Sequence, residues 1–303
     1  MSEGLVTNIK RMKVFKKRRS MLYIPGNNPA MIQQGGVYGA DSILLDLEDA
    51  VALNQKDAAR DLVSSLMPTV DFYEAEVCVR VNHLNTPFGL ADLEAIVPLQ
   101  PSAIRYPKAE SVEEVAELLS IIEKIEKKHQ LPHTNMTLHA MIETAKGVQN
   151  VFEIASKFDR LDALTIGGQD LTADMNIVYT RDGAGIDFAR KHIVMAAKAN
   201  HLDVIDTVFP DVNDEDGLRE ETEYSKKIGF TGKAVINPRQ IDIIHEVFSP
   251  SEEEIRKAYR IVKEFKKNKS EGVGVFAIDG KMIDAPVVTR AEYILKIAGV
   301  EVN

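Results

Sequence analysis

The sequence has no tryptophan, a single cysteine and no apolar run approaching the roughly 18 residues that a membrane helix requires. One cysteine, Cys78, excludes an intrachain disulfide and a cysteine-based zinc site, and it suits a reducing cytoplasm. Its setting in VCVRV predicts a small buried hydrophobe rather than a nucleophile. Positive charge is also in deficit: 37 Lys and Arg face 46 Asp and Glu, a net charge of −9. That balance argues against a nucleic-acid partner, which needs a basic face. The N-terminus is basic but lacks the apolar core and small-residue cleavage site of a secretory signal. Missing too are the GxxxxGKS/T, HExxH, GxSxG and GxGxxG motifs, so their phosphate, zinc, serine-hydrolase and dinucleotide chemistries are not indicated. The seven histidines show no ligand spacing, and His139, near the start of an apolar strand run, is expected to be a core histidine.

The charge that is present is unevenly spread. Residues 1–20 hold seven basic side chains against one acid, a local +6 that leaves −15 for the remainder. The basic arm (residues 1–18) reads as a solvated tail, or as a device that brings Arg18 and Arg19 to a phosphate.

Eight short apolar runs recur, each followed by a polar or glycine-bearing turn and a helical pattern. They are 20–26, 42–48, 76–82, 102–108, 137–143, 161–168, 202–209 and 232–238. SVEEVAELLSIIEKIEKKH (111–129) places Val112, Val115, Leu118, Leu119, Ile122 and Ile125 on one helical face, and Ser111 with Glu114 makes a capping box. Strands apolar on both faces, alternating with helices, predict a parallel sheet, and eight units predict a (β/α)8 TIM barrel over residues 19–248. Residues 249–303 read as a helix–hairpin–helix extension with Asp279-Gly280 in the turn; too small to stand alone, it is expected to lie on the barrel or on a neighbouring subunit.

Barrel enzymes carry their chemistry at the C-terminal ends of the strands. Those ends carry Asp46, Glu48 and Asp49; Arg80 and Asn82; Lys108; Glu143; Asp170; and Asn237. Glu143 and Asp170, at the tips of adjacent strands, form an all-oxygen pair suited to Mg2+ or another hard cation such as Mn2+. Arg80 offers a planar fork for a substrate carboxylate. Lys108 either neutralises an anion or pairs with a tip acid. Asp46, Glu48 and Asp49 of LDLEDAV either orient metal-bound water or pair with Arg80 and Lys108. Two tip carboxylates also suit glycoside hydrolysis, but an acidic cleft without tryptophan offers a sugar little to stack on.

Nine separated stretches, RRSMLYIPGNNP, GADSILLDLEDAV, RVNHLNTPFG, AIRYPKAES, MIETAKGVQN, GGQDLTADM, GFTGKAVINPRQI, FSPSEEEI and DGKMIDAPVV, together resemble the citrate lyase β-subunit family of citryl and malyl thioester lyases. The resemblance covers residues 19 to about 298 in order. It implies a Mg2+-dependent TIM barrel that cleaves a citryl thioester, carried on CoA or an acyl-carrier protein, to oxaloacetate and an acetyl thioester. It further implies Arg80 on the substrate carboxylate, Glu143 with Asp170 on the metal, Glu143 also beside the substrate, and Asp284 as a lid acid serving a neighbouring subunit. A homo-oligomer (trimer or hexamer) in the cytoplasm, with other citrate lyase subunits as partners, would follow. Gln169 departs from the family's more usual Glu, which alters site charge. The alternatives are a free-standing malyl-CoA or citramalyl-CoA lyase, a malate-synthase-like condensing enzyme, and a non-catalytic scaffold subunit.

Overall fold

A computed structural model of the chain describes residues 16–132, 136–178, 180–270 and 275–302. Eight parallel strands close a barrel in chain order: β1 Ser20–Pro25, β2 Ser42–Asp46, β3 Glu76–Arg80, β4 Ala103–Tyr106, β5 Thr137–Ile142, β6 Leu161–Ile166, β7 Asp203–Asp206 and β8 Gly232–Val235. Strand β8 returns to β1 through Ser20↔Lys233, Met21↔Ala234 and Leu22↔Val235, so no edge of this sheet is left open. The predicted TIM barrel is therefore present, with each strand inside its expected run.

The helices between and after these strands are α1 Pro29–Gln34, α2 Lys56–Leu66, α3 Gly89–Ile96, α4 Val112–Lys128, α5 Ala145–Lys157, α6 Gly168–Asp174, α7 Asp187–Ala199, α8 Glu215–Ile228 and α9 Ile241–Phe248. Side chains alternate across each strand. One set, including Leu22, Ile43, Val79 and Ile104, meets Val63, Leu118, Val151 and Ile193 of the helices in the main core. The other set, Met21, Leu44, Cys78, Ala103 and Ile205, forms a separate cluster. Cys78 is fully buried, and burial pushes its thiol above the usual range. At the start of α4 the Ser111 hydroxyl accepts from the Glu114 amide at 3.2 Å. The Glu114 carboxylate reaches back to the Glu110 amide, one residue earlier than the expected box.

The arm reading divides. Residues 1–15 lie outside the described residues. Arg18 and Arg19 do not present free guanidinium groups for a phosphate. Arg18 donates to both Glu76 oxygens (2.7 Å each), to Asp162 (2.5 Å) and to Asp203 (2.7 Å), and Arg19 forks onto Asp41. Carboxylates at the N-terminal ends of β2, β3, β6 and β7 occupy the donors that a phosphate would have used.

The extension is α10 Glu252–Ser270, a two-stranded hairpin of β9 Phe276–Ile278 and β10 Lys281–Ile283, and α11 Ala285–Ala298. Asp279 and Gly280 turn the hairpin, both with positive φ (50° and 75°), as a type I′ turn requires. Ala258, Ile261, Val262, Ile283, Val288, Ala291 and Leu295 give it a core of its own. The outgoing strand ends one residue before Asp284. Asp284 instead caps α11, accepting from the Val287 amide at 3.2 Å, and Pro286 sits in the first helical turn, where its missing N–H costs nothing. Among the described residues no helix is long and apolar enough to cross a membrane.

Candidate active site

Each expected tip residue lies at the C-terminal end of the barrel because its strand ends there. Asp46 is the last residue of β2 and Arg80 the last of β3, and the two are register partners. Asp46 accepts from Arg80 Nε at 2.7 Å and from Nη2 at 2.6 Å, fully buried. It also takes the Glu48 amide at 2.9 Å and the Ala50 amide at 3.1 Å, which uses its four acceptor positions. Asp46 therefore folds the LDLEDA loop and holds Arg80, the pairing alternative of the sequence reading. Arg80 keeps Nη1 and the second Nη2 N–H for other partners, and Nη1 stands 3.1 Å from Glu48, 3.8 Å from Asp49 and 3.8 Å from the Met141 sulfur. Burial opposes its charge, but Asp46 more than offsets that and holds its pKa well above the ordinary value.

Lys56, which carries no motif, fixes the same loop from below. Its buried ammonium donates to the Leu47 and Glu48 carbonyls at 2.9 and 2.6 Å. Asn82, another tip residue, donates to the Leu47 carbonyl and to Asp92, and so is also structural.

Glu143 follows β5 directly and is 1% exposed. One oxygen accepts the Lys108 amide at 2.8 Å, while the other, buried, has no hydrogen-bond partner among the described residues. Gly167 opposite has no side chain for a spatial reason. A Cβ there would stand 2.7 Å from Glu143 Cβ and press on its carboxylate. Lys108 delivers its amide from a left-handed backbone (φ 47°), a conformation non-glycine residues rarely adopt. Its ammonium lies 3.9 Å from Asp170. Burial works against the Lys108 charge, but Glu48 and Asp170 outweigh it and raise its pKa.

Asp170 stands in the first turn of α6, partly open to solvent. Among the described residues five carboxylates (Asp46, Glu48, Asp49, Glu143, Asp170) thus gather with Arg80, Lys108 and the more remote Lys56. The imbalance appears in their protonation. Burial, reinforced by Asp170, pushes Glu143 up to about 8. Burial, with Asp49 adding to it, pushes Glu48 up to about 7 despite Arg80. Asp170 is raised by burial and by Asp49. A buried carboxylate oxygen without a donor, beside a second acid and under excess negative charge, fits a hard divalent cation.

Among the described residues Glu76, Cys78 and His139 also bring ligand atoms within 4.8 Å of one another. Glu76, however, is occupied by Arg18, Lys16 and Ser42. A metal there would have to displace cations. Asn237, the last tip residue, caps the turn after β8 through the Arg239 amide. The structure does not bring Asp284 to this mouth by way of α11. That helix instead lines a cavity of about 410 Å3 with Lys198, Phe230, Thr231 and Phe248, residues that precede β7 and β8 or end α9, at the opposite end of the barrel.

A closed parallel barrel with a cation-seeking carboxylate pair at its strand tips defines a class, the barrel enzymes that work through an oxygen-liganded metal. Comparison narrows it. The model of the HpcH/HpaI aldolase/citrate lyase family matches residues 19–238. Citrate lyase subunit beta of Leuconostoc mesenteroides subsp. cremoris is 42% identical over 281 residues, 93% of each chain. The mitochondrial citramalyl-CoA lyase of Rattus norvegicus is 35% identical, over 93% of this chain and 86% of its own. The crystal structure of the protein CitE from Mycobacterium tuberculosis, in complex with magnesium, acetoacetate and coenzyme A, superposes with a TM-score of 0.74 at 30% identity, covering 93% of this chain and 98% of the other. The chain belongs to the HpcH/HpaI aldolase/citrate lyase family and is a carbon–carbon lyase.

Proposed function

We propose that the chain cleaves a citryl thioester to oxaloacetate and an acetyl thioester with Mg2+, as a β-type citrate lyase subunit. The observation that carries this is the Glu143–Asp170 pair, with a donor-less buried oxygen, in a chain 42% identical to a citrate lyase subunit beta. Glu143 and Asp170 are the residues that would hold the cation. Its chemistry there is that of a Lewis acid, stabilising the negative charge that develops on substrate oxygen.

The remaining work falls to the chain's own groups. Arg80 Nη1 and Lys108 face the substrate's negative charge. Because Asp46 fixes the Arg80 plane, Arg80 is oriented before substrate arrives, which lowers the entropic cost of binding. As the C–C bond breaks, the substrate hydroxyl gives up its proton and becomes the keto oxygen. The bonding electron pair passes to the acetyl thioester as an enolate, which must then take up a proton at carbon.

Asp284 is assigned that acid/base role in the mouth of a neighbouring copy, in a cytoplasmic homo-oligomer of trimer or hexamer type. The position of α11 at the far end of its own barrel supports a lid that acts between subunits. An acyl-carrier protein and further citrate lyase subunits are the partners this reading entails. A citramalyl-CoA lyase is the second reading, favoured by the 35% identity to the Rattus norvegicus enzyme. Keto-acid release from citryl, citramalyl and malyl thioesters, offered on CoA and on acyl-carrier protein, tests both. Mg2+-dependent oxaloacetate release from the citryl substrate is expected. Pyruvate release from citramalyl-CoA alone would select the second reading, and no metal-dependent release from any would refute both.

A further inference from the structure

The mechanism above leaves the buried cation Arg105 unused. Arg105 points into the barrel from β4 and is 0% exposed. It donates to the Tyr23 hydroxyl at 2.9 Å and to the Met21 sulfur at 2.6 Å, and its Nη2 lies 3.4 Å from His139 Nδ1. Among the described residues its Nε has no hydrogen-bond partner and no carboxylate forms an ion pair with it. Burial, reinforced by Arg18, holds the His139 pKa well below the ordinary value, so the ring stays neutral beside Arg105 and brings no counter-charge. A guanidinium buried among neutral groups is costly, and an anion brought near it offsets that cost.

Tyr23 leads from Arg105 to the mouth. It is partly exposed on β1, while Met21 below it is fully buried, so its ring forms part of the floor of the site. The Arg80 guanidinium lies 5.2 Å from the ring centroid and that of Arg105 5.9 Å. With Arg105 donating to its oxygen, the phenol is left to donate its own proton elsewhere. Arg80 itself has given its bidentate edge to Asp46, so Arg80 alone does not satisfy a substrate with two free carboxylates.

We propose that Tyr23, positioned by Arg105, is the specificity-determining residue that recognises the distal carboxylate of a dicarboxylic keto acid and of the thioester adduct that yields it. Tyr23 donates a charge-assisted hydrogen bond to that carboxylate, and the Arg105 charge behind it gains its counter-ion only when the carboxylate is present. A substrate with a methyl group at that place leaves the arrangement unpaired. This deepens the reading under Proposed function and rests on it for the substrate class.

The test compares oxaloacetate with pyruvate, which replaces the distal carboxymethyl by methyl, as ligands of the full-length protein with Mg2+ in a calorimeter. Wild type should bind oxaloacetate at least tenfold more tightly. Tyr23→Phe, which keeps the ring, should weaken oxaloacetate about tenfold and leave pyruvate within twofold. Catalytic efficiency should follow the same split between citryl and citramalyl thioesters. Equal weakening toward both keto acids would make Tyr23 merely structural and overturn the proposal. So would unchanged oxaloacetate binding, a wild type without preference, or a wild type that binds neither acid. If wild type discriminates as stated yet cleaves no thioester, the proposed lyase substrate fails while the binding assignment stands.

Discussion

Glu143 and Arg80 occupy matching strand tips but face opposite electrostatic situations. Arg80 is paired through both nitrogens of its Nε edge, whereas Glu143 keeps one buried oxygen with no donor. Glu143→Gln should therefore leave the fold intact and remove Mg2+ binding, because a neutral amide is a poor ligand for a hard cation. Asp170→Asn should behave alike. Calorimetric Mg2+ titration together with keto-acid release checks both, and wild-type activity at limiting Mg2+ in both variants would refute the assignment. Arg80→Lys keeps the charge but loses the fork to Asp46, so it should cost about 1.5–3 kcal/mol of stability as well as activity. Urea denaturation reads the first part, and an unchanged midpoint would show that the Asp46 pairing matters little. Residue types and their places at strand ends were readable from the sequence. Which acid would be saturated was not, because it depends on the β2–β3 register that sets Asp46 opposite Arg80.

At the scale of elements, the barrel and the extension have separate hydrophobic cores, and α11 begins at an Asp284 cap. A chain ending after residue 249 is thus expected to keep barrel helicity by circular dichroism while losing lyase activity, and a collapse of the barrel signal would contradict the separation. Asp284→Ala should cost the extension about 1 kcal/mol through the lost cap, apart from any chemical role. To separate the two, Asp284→Ala is mixed with Asp170→Asn under subunit exchange. Recovered activity is expected if the lid acts between copies, and none, with exchange confirmed, would exclude it. The sequence pattern announced the hairpin through Asp279-Gly280.

For the whole molecule, the N-terminal end of the barrel is tied together by Arg18 across β3, β6 and β7. Burial opposes the Glu76 charge, but Arg18 more than offsets it and holds Glu76 well below the usual carboxylate range. A carboxylate so depressed in the folded state contributes stability that is full above its unfolded value and is lost as pH falls toward the folded one. Wild type should accordingly lose melting temperature on acidification below about pH 4.5, and more steeply than Glu76→Gln. Parallel profiles would mean the network contributes nothing measurable. The sequence by itself determined the eight-unit barrel, the ring of tip residues and the hairpin, because alternation, periodicity and turn residues are local properties of the chain. Only the tertiary structure decided that Arg18 is consumed by three acids, that Asp46 takes the Arg80 fork, and that Arg105 stands buried under Tyr23 without a carboxylate. Those outcomes depend on side chains from strands far apart in sequence meeting inside one closed sheet, where low dielectric makes each pairing, or its absence, count.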